Sequence, residues 1–184
     1  MERTITAMRE KYLKPSLDMI EQVFSEWENP EEGKTVRRLV EEIRAKKYYL
    51  PELELLMLNA ADEIIGYAMF SRFHLEGRYD DELLILTPVA VRTDMQRQGI
   101  SRELIEYGFT KAAEMGYQAV IVEGNPKNYN PRGFETSADH GIVAGPDIRL
   151  PHVSCLMVKE LIPGALDHIH GMVDYSMYEA LHEG

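Results

Sequence analysis

Apolar residues along the first part of the chain recur at helical spacing and then in extended runs. An alternating pattern over residues 3–9 predicts a first strand. Apolar stripes predict helices over about residues 14–27 and 35–46, and the Pro- and Gly-containing segment 29–33 predicts a loop between them. Two further apolar runs, residues 52–59 and 63–73, are joined by a short turn and predict a β-hairpin.

The middle of the chain alternates between strand and helix. Leu83–Val91 is almost continuously apolar, which predicts a strand covered on both faces. Pro88 lies inside it and predicts a bulge or a local loss of pairing, because proline cannot donate to a ladder. A helix over residues 99–115 ends at Gly116, and another strand follows over residues 118–123. Strand, helix and strand at this spacing predict a βαβ unit with parallel strands.

The last part of the chain is predicted to form a loop and short strands. A polar loop over residues 124–133 precedes a short strand near Phe134, and a final strand fits residues 152–161. A hairpin, one parallel crossover and late antiparallel strands predict a mixed, mostly antiparallel central sheet. The predicted class is therefore α+β with three layers, in a single domain over residues 1–184.

Composition narrows the functional classes. The chain has 184 residues, a formal net charge of −11 and one cysteine, Cys155. The single cysteine excludes a disulfide framework and a cysteine-based metal cluster. The acidic balance argues against non-specific nucleic-acid binding. The sequence has neither an apolar run of membrane-spanning length nor a signal-peptide pattern, so we expect a cytoplasmic protein without membrane contact. Acidity weakly favours a cationic substrate such as an amine, although solubility explains it equally well.

The turn after the predicted strand Leu83–Val91 carries the clearest chemistry. It has the form Gln-x-x-Gly-x-Ser over residues 96–101 and opens a predicted helix. Glycine lets a ligand approach the backbone, and the free N–H groups of a helix start attract phosphate. The motif lacks the Gly-Lys-Ser/Thr ending of a P-loop. These features predict a site for a phosphorylated cofactor other than a nucleoside triphosphate.

Three motifs in order resemble the GNAT superfamily of acyl-CoA-dependent N-acetyltransferases. They are the turn at residues 96–101, the helix end Ala113-Glu114-Met115-Gly116-Tyr117 with its following strand, and Tyr129-Asn130-Pro131-Arg132-Gly133-Phe134. The tail Pro163-Gly164-Ala165-Leu166 is similar to that of a bacterial subgroup of predicted acetyltransferases. Two features depart from the family pattern: Ser101 replaces a Gly or Ala, and the loop 125–132 is shorter than the usual helix.

The resemblance implies acetyl-CoA as co-substrate, no metal, and helices on both faces of the sheet. The pyrophosphate is expected at the turn, and the pantetheine arm along the strand before it. A backbone N–H of Val89 or Ala90 is expected to polarise the acetyl carbonyl. The implied cofactor-binding residues are Val89, Ala90, Val91, Gln96, Arg97, Gln98, Gly99, Ile100, Ser101 and Asn125. Arg97 and Arg102 either add charged contacts or lie on a solvated helix surface.

Acid and base groups are less well defined. Tyr129 is the candidate acid that protonates the leaving thiolate, with aromatic packing as the alternative. Glu82 and Glu123, at the ends of two predicted strands, are candidate bases. Both fit solvated strand ends equally well, and a chain of water molecules can take their place.

Other chemically active residues have structural explanations. Cys155 is predicted to be a buried strand residue rather than a covalent nucleophile. His168 and His170 lack companion ligands at metal-site spacing, which favours packing or surface roles. Trp27 lies among glutamates between the first two helices, where GNAT proteins often shape the acceptor site, and a solvated acidic loop is the simpler interpretation.

Together these features predict an N-acetyltransferase that moves an acetyl group from acetyl-CoA to a primary amine of a small molecule or protein, by direct attack in a ternary complex. The alternatives are a non-catalytic acyl-CoA sensor or binding module and an unrelated α+β domain that binds no CoA. The resemblance leaves a homodimer open. The amine acceptor has no readable signature, because specificity in such folds lies on loops.

Overall fold

The computed structural model describes residues 2–182. Within that range the helices are α1 (Leu13–Trp27), α2 (Pro30–Arg44), α3 (Ile100–Glu114) and α4 (Pro126–Tyr129). The strands are β1 (Arg3–Ala7), β2 (Glu54–Asn59), β3 (Ile64–Arg72), β4 (Leu83–Val91), β5 (Ala119–Glu123), β6 (Glu135–Thr136), β7 (Ile142–Ala144), β8 (Leu156–Glu160) and β9 (Gly171–Val173). Short 3₁₀ turns connect several of them.

The chain divides into two compact units. Within the described residues, the first comprises 2–71, 87–108 and 178–182, and the second comprises Arg72–Leu86 and Phe109–Met177. Strand β4 and helix α3 each begin in one unit and end in the other.

The first unit contains an antiparallel arrangement of strands. β1 pairs with β2 from Arg3–Asn59 to Ala7–Leu55, and β2 pairs with β3. β4 follows β3 in the strand order, and the Arg92 amide donates to the Ile65 carbonyl at 3.0 Å. The predicted hairpin is therefore confirmed.

Helices cover both faces of this sheet. Gly66 of β3 lies against Ile100 and Leu104 of α3, and a side chain on Gly66 would overlap theirs. Tyr67, the next residue, points to the opposite face because side chains alternate along a strand. There its hydroxyl donates to Glu54, which also binds Arg44 of α2. The fold is thus the predicted α+β class.

A buried polar cluster fixes α2 on β2. The Glu54 side chain is 0% exposed, and the Arg44 Nε donates to its Oε2 at 2.8 Å. The hydroxyls of Tyr49 and Tyr67 donate to the same carboxylate. Burial, together with the neighbouring carboxylate, raises the pKa of both tyrosines well above their ordinary value, so the phenols remain protonated donors.

The second unit contains the parallel crossover. β4 pairs with β5 in parallel from Leu83–Ala119 to Ile85–Ile121, which confirms the predicted βαβ unit. β5 pairs antiparallel with β8, and β8 pairs antiparallel with β6. β7 and β9 form a separate parallel pair that the sequence pattern did not predict, since three residues are too few to display a strand period.

The predicted loop over residues 29–33 is wrong, because α2 begins at Pro30. The Asn29 side chain caps the helix by accepting from the Glu32 amide at 2.9 Å. Proline at the first helical position and glutamates in the first turn suit a helix start. Pro30 and Gly33 therefore have other roles here: Pro30 is at the first helical position, and Gly33 lets α2 approach α1 where a Cβ would overlap the Ser25 side chain.

Two other segments differ from the prediction. The loop over residues 124–133 contains the one-turn helix α4, capped by the Asn125 side chain on the Lys127 amide. The final strand begins at Leu156 rather than 152, and Cys155 ends a 3₁₀ turn and is half-buried instead of being a buried strand residue. The predicted local loss of pairing at Pro88 is confirmed toward β5, because the pairing of β4 with β5 ends at Ile85, three positions before Pro88. Pro88 follows a cis peptide bond.

Candidate active site

The turn before α3 has a backbone suited to anions. Arg97 has φ +63° and Gly99 has φ +77°, both in the left-handed region. When left-handed residues alternate with residues of ordinary backbone conformation, successive N–H groups point into one concavity, where an anion binds. A non-glycine residue such as Arg97 occupies this region at a cost, which points to a functional constraint on the turn. The turn belongs wholly to the first unit.

Strand β1 holds this turn from one side. The Arg3 guanidinium donates to the Gln98 carbonyl at 3.0 Å and pairs with Glu103 at 3.0 Å. In a trans peptide the carbonyl and the following N–H point in opposite directions. Because Arg3 holds the Gln98 carbonyl, the Gly99 N–H points away from Arg3. This contact has no local signature in the sequence, since the partners are 95 residues apart.

The turn's side chains occupy different positions. A guanidinium nitrogen of Arg102 lies 3.3 Å from where a Cβ on Gly99 would be, so Arg102 lies over the turn, whereas Arg97 is exposed. The Gln96 amide donates to the Val91 carbonyl at 3.3 Å, which closes the turn onto the end of β4. Ile100 is buried and anchors the helix start, and Ser101 is half-buried.

The end of β4 alternates in exposure. Val89 and Val91 are half-buried and Ala90 is buried. This places the two valines on one face of the strand and Ala90 on the other. Residues 92–95 connect them to the turn at residues 96–101.

The first unit also contains a cleft of about 740 Å³. Its walls come from α1, the β2–β3 turn and residues 92–94, so it excludes the turn at residues 96–101. Two pairs of its charged groups bind each other: Lys11 binds Asp62 at 2.9 Å and Arg92 binds Asp94 at 2.7 Å. This cleft therefore differs from the predicted cofactor site, and the backbone geometry of the turn is the stronger indicator of a phosphate site.

Tyr129 stands in a packed corner of the second unit. Its ring meets Phe134 edge to face with centroids 5.7 Å apart. A ring carbon lies 2.6 Å from where a Cβ on Gly124 would be, so only glycine lets the ring lie against the end of β5. Burial raises the pKa of the Tyr129 phenol, which therefore stays protonated at neutral pH. The Tyr129 ring is packed and its phenol is protonated, so a packing role and a role as the acid do not exclude each other.

The two candidate bases have different partners. Glu82 Oε2 lies 2.6 Å from His168 Nε2, and Glu123 Oε1 accepts from the Tyr175 hydroxyl at 2.7 Å. His170 contacts the carbonyls of His140 and Asp167. In residues 2–182 no group of three or more His, Cys, Asp or Glu side chains is arranged to hold a metal ion. Tyr175 was not singled out from the sequence, because the tail around it shows no motif.

Trp27 remains a surface residue. Its side chain is 73% exposed and its ring lies 5.9 Å from that of Phe24. Glu26 accepts a hydrogen bond from Thr93, which lowers the pKa of its carboxyl. The acidic segment is thus solvated, with one carboxylate bound to the residues that precede the turn.

Comparison with known proteins identifies the family. A model described as the acetyltransferase (GNAT) family matches residues 17–134. The chain is 31% identical over 139 residues to a protein described as the uncharacterized N-acetyltransferase YhbS of Escherichia coli K12, covering 75% of this chain and 79% of that protein. It is 33% identical over 132 residues to one described as the uncharacterized N-acetyltransferase YjhQ of the same strain, covering 71% and 70%. The chain therefore belongs to the GNAT acetyltransferase family.

Solved structures agree with this assignment. The crystal structure of Escherichia coli YhbS in complex with CoA matches with a TM-score of 0.83 and 27% identity, covering 99% of this chain and 93% of that one. A GNAT family acetyltransferase from Brucella melitensis in complex with acetyl-CoA matches with a TM-score of 0.66 and 21% identity, covering 98% of both. The second likeness concerns the fold alone. Among the residues that the structure describes, no helix is long and apolar enough to cross a membrane.

Proposed function

We propose that this protein transfers an acetyl group from acetyl-CoA to a primary amine of a small molecule or protein, by direct attack in a ternary complex. The observation that carries the proposal is the left-handed pair Arg97 and Gly99 in the turn that opens α3. Family membership and the CoA-bound structure of YhbS support the same cofactor. We extend the proposal to the whole chain, residues 1–184, as one N-acetyltransferase domain acting in the cytoplasm.

The turn is assigned the pyrophosphate of the cofactor. Backbone N–H groups of residues 98–101 converge on the anion, and the start of α3 adds its positive end. Arg102, already over Gly99, supplies charge without rearrangement, and exposed Arg97 adds a second cation. Gln96 keeps the turn closed, and Ser101 offers a hydroxyl in place of the usual small residue. Asn125 contacts the cofactor as the resemblance implies, while its side-chain oxygen Oδ1 caps α4.

The end of β4 is assigned the pantetheine arm and the thioester. The arm extends along the backbone of Val89 and Val91 in the manner of an added strand. A backbone N–H of Val89 or Ala90 then donates to the acetyl oxygen. Such a donor contributes about 3 kcal/mol where negative charge develops on that oxygen.

Tyr129 is assigned the proton transfer. The neutral amine attacks the acetyl carbon, the carbon–sulfur bond breaks, and the sulfur takes the phenolic proton. The proton that the new amide nitrogen loses then restores the phenol. Burial keeps that proton on Tyr129 at the pH of the reaction. Positioning of amine and thioester supplies much of the remaining rate enhancement.

Two measurements test the proposal. Acetyl-CoA at millimolar concentration should raise the thermal midpoint of the protein, and no shift would contradict CoA binding altogether. Release of free CoA thiol, measured against a panel of amines, should exceed the rate without amine. A clear thermal shift with no thiol release against any amine would instead favour the acyl-CoA sensor.

A further inference from the structure

Two carboxylates lie at opposite ends of the same parallel strand pair. Glu82 immediately precedes Leu83, where pairing of β4 with β5 begins, and Glu123 lies two residues beyond Ile121, where it ends. In parallel sheets, ligands bind outside the carboxyl ends of the strands rather than the amino ends. Glu123 is at the carboxyl end of β5, and Glu82 is at the amino end of β4.

Glu82 is occupied by contacts that hold the chain together. Its Oε2 lies 2.6 Å from His168 Nε2, and the Tyr79 hydroxyl donates to the His168 carbonyl at 3.0 Å. The Glu82 carbonyl accepts from the Gln118 amide at 2.8 Å. These bonds tie the segment around His168 to the start of β4, which explains Glu82 as a structural residue.

Glu123 stands beside the proposed acid. Its neighbour Gly124 is the residue against which the Tyr129 ring lies, and the Gly124 amide donates to the Cys155 carbonyl at 2.9 Å. The end of β5 is therefore fixed from two sides. Glu123 itself is exposed, so its carboxylate is accessible to a ligand that approaches this corner.

Tyr175 orients that carboxylate. Its hydroxyl donates to Glu123 Oε1 at 2.7 Å, and its ring lies 6.3 Å from that of Phe73. An ionised carboxylate accepts about four hydrogen bonds, so the bond from Tyr175 leaves capacity for a cationic donor. A charged ammonium is such a donor, and its hydrogen bonds to a carboxylate are among the stronger ones.

We propose that Glu123 binds the ammonium group of an aliphatic primary amine acceptor and accepts its proton, and that Tyr175 is a positioning residue for Glu123. This inference rests on the proposed function. Glu123 passes one proton to solvent. The neutral amine then bonds to the acetyl carbon, the thiolate takes the proton of Tyr129, and the proton lost by the new amide nitrogen restores the phenol. Each turnover of a cationic amine thus releases one proton, one amide and one CoA thiol.

The test compares Glu123→Gln with Glu82→Gln, which makes the same chemical change at the other end of the strand pair. The acceptors are aliphatic monoamines, 1,5-diaminopentane and a lysine-containing peptide, and kinetics use whichever of them the wild type acetylates fastest. Glu123→Gln should raise the KM for that amine at least about tenfold, because it removes a charged hydrogen bond. Glu82→Gln should leave the KM within about twofold, and acetyl-CoA affinity should be unchanged in both.

Two further variants separate binding from folding. Glu123→Asp should show a smaller increase in the KM than Glu123→Gln. Tyr175→Phe should raise the KM about threefold, with an unchanged thermal midpoint and an unchanged acetyl-CoA affinity. Equal effects of Glu123→Gln and Glu82→Gln, or a larger one at Glu82, would overturn the inference while leaving acetyl transfer intact. If the wild type acetylates none of the amines, the proposed function fails instead.

Discussion

The turn before α3 and the corner around Tyr129 are built in different ways. The turn is largely exposed and depends on backbone conformation, with left-handed residues at Arg97 and Gly99. The corner depends on side-chain packing, with the Tyr129 ring held between Phe134 and the bare backbone of Gly124. The first arrangement supplies several donors and no titrating group, whereas the second supplies one phenol. We therefore expect binding and chemistry to be separable by mutation.

The largest effect is expected from Gly99→Glu. A side chain at φ +77° is strained, its Cβ would press on the Arg102 guanidinium, and its carboxylate would repel the pyrophosphate. Acetyl-CoA affinity, measured by calorimetry or thermal shift, should fall at least about a hundredfold, roughly 2.7 kcal/mol.

Gly77→Glu is the matched control for this change. Gly77 has φ +79° and nothing within 4 Å of its Cβ position, so it reproduces the backbone strain and the added charge in open space. Its acetyl-CoA affinity should remain close to wild type. Equal losses of acetyl-CoA affinity in the Gly77 and Gly99 variants would mean that backbone strain alone weakens binding. The turn would then no longer be assigned to the pyrophosphate.

Tyr129→Phe is expected to have the next largest effect, on turnover alone. Removal of a general acid commonly costs about a hundredfold in rate, and the ring's packing against Phe134 and Gly124 is retained. Steady-state kinetics should show the fall in kcat, with acetyl-CoA affinity nearly unchanged. Tyr107→Phe, at an exposed tyrosine on α3, is the control and should leave both parameters unchanged.

The pH dependence of wild-type kcat sharpens the same assignment. Tyr129 acts in its protonated form, and burial places its pKa above the ordinary value of 10.0. Activity is therefore lost only as the pH rises through that higher pKa. At saturating amine, kcat should not decline between about pH 8 and 9.5. A decline centred near pH 8 would remove Tyr129 as the acid, as would unchanged turnover in Tyr129→Phe.

The contrast between the two regions also explains which structural features can be predicted from the sequence. The turn has a local signature, since strand, polar turn and helix occur within residues 83–114, and glycine marks the position that needs a left-handed backbone. The βαβ unit and the hairpin are similarly local, and the structure confirms both. Pro30 and Gly33 misled the prediction because the same residues occur in loops and at helix starts.

The corner and its neighbours depend on contacts between distant residues. Tyr175 meets Glu123 across 52 positions and His168 meets Glu82 across 86, so neither pair leaves a periodic trace in the sequence. The strands β7 and β9 are three residues long and acquire their structure from each other. These features follow from tertiary packing, which a single sequence does not display.

The smallest effect is expected from Arg3→Gln, at the contact that supports the turn. Arg3 touches no proposed cofactor group directly, and it holds the Gln98 carbonyl so that the Gly99 N–H points the other way. Loss of one such hydrogen bond at a partly exposed site costs about 1 kcal/mol. Acetyl-CoA affinity should therefore fall about fivefold, with kcat at saturating cofactor unchanged.

Glu103→Gln distinguishes orientation of the turn from the ion pair. Glu103 pairs with Arg3 at 3.0 Å, and its loss leaves the bond from Arg3 to Gln98 in place. Since exposed ion pairs contribute little, this variant should bind acetyl-CoA within about twofold of wild type. If both variants lose affinity equally, the ion pair rather than the Gln98 carbonyl carries the effect of Arg3. If neither loses affinity, the turn keeps its conformation without β1, and its own left-handed residues suffice to bind the cofactor.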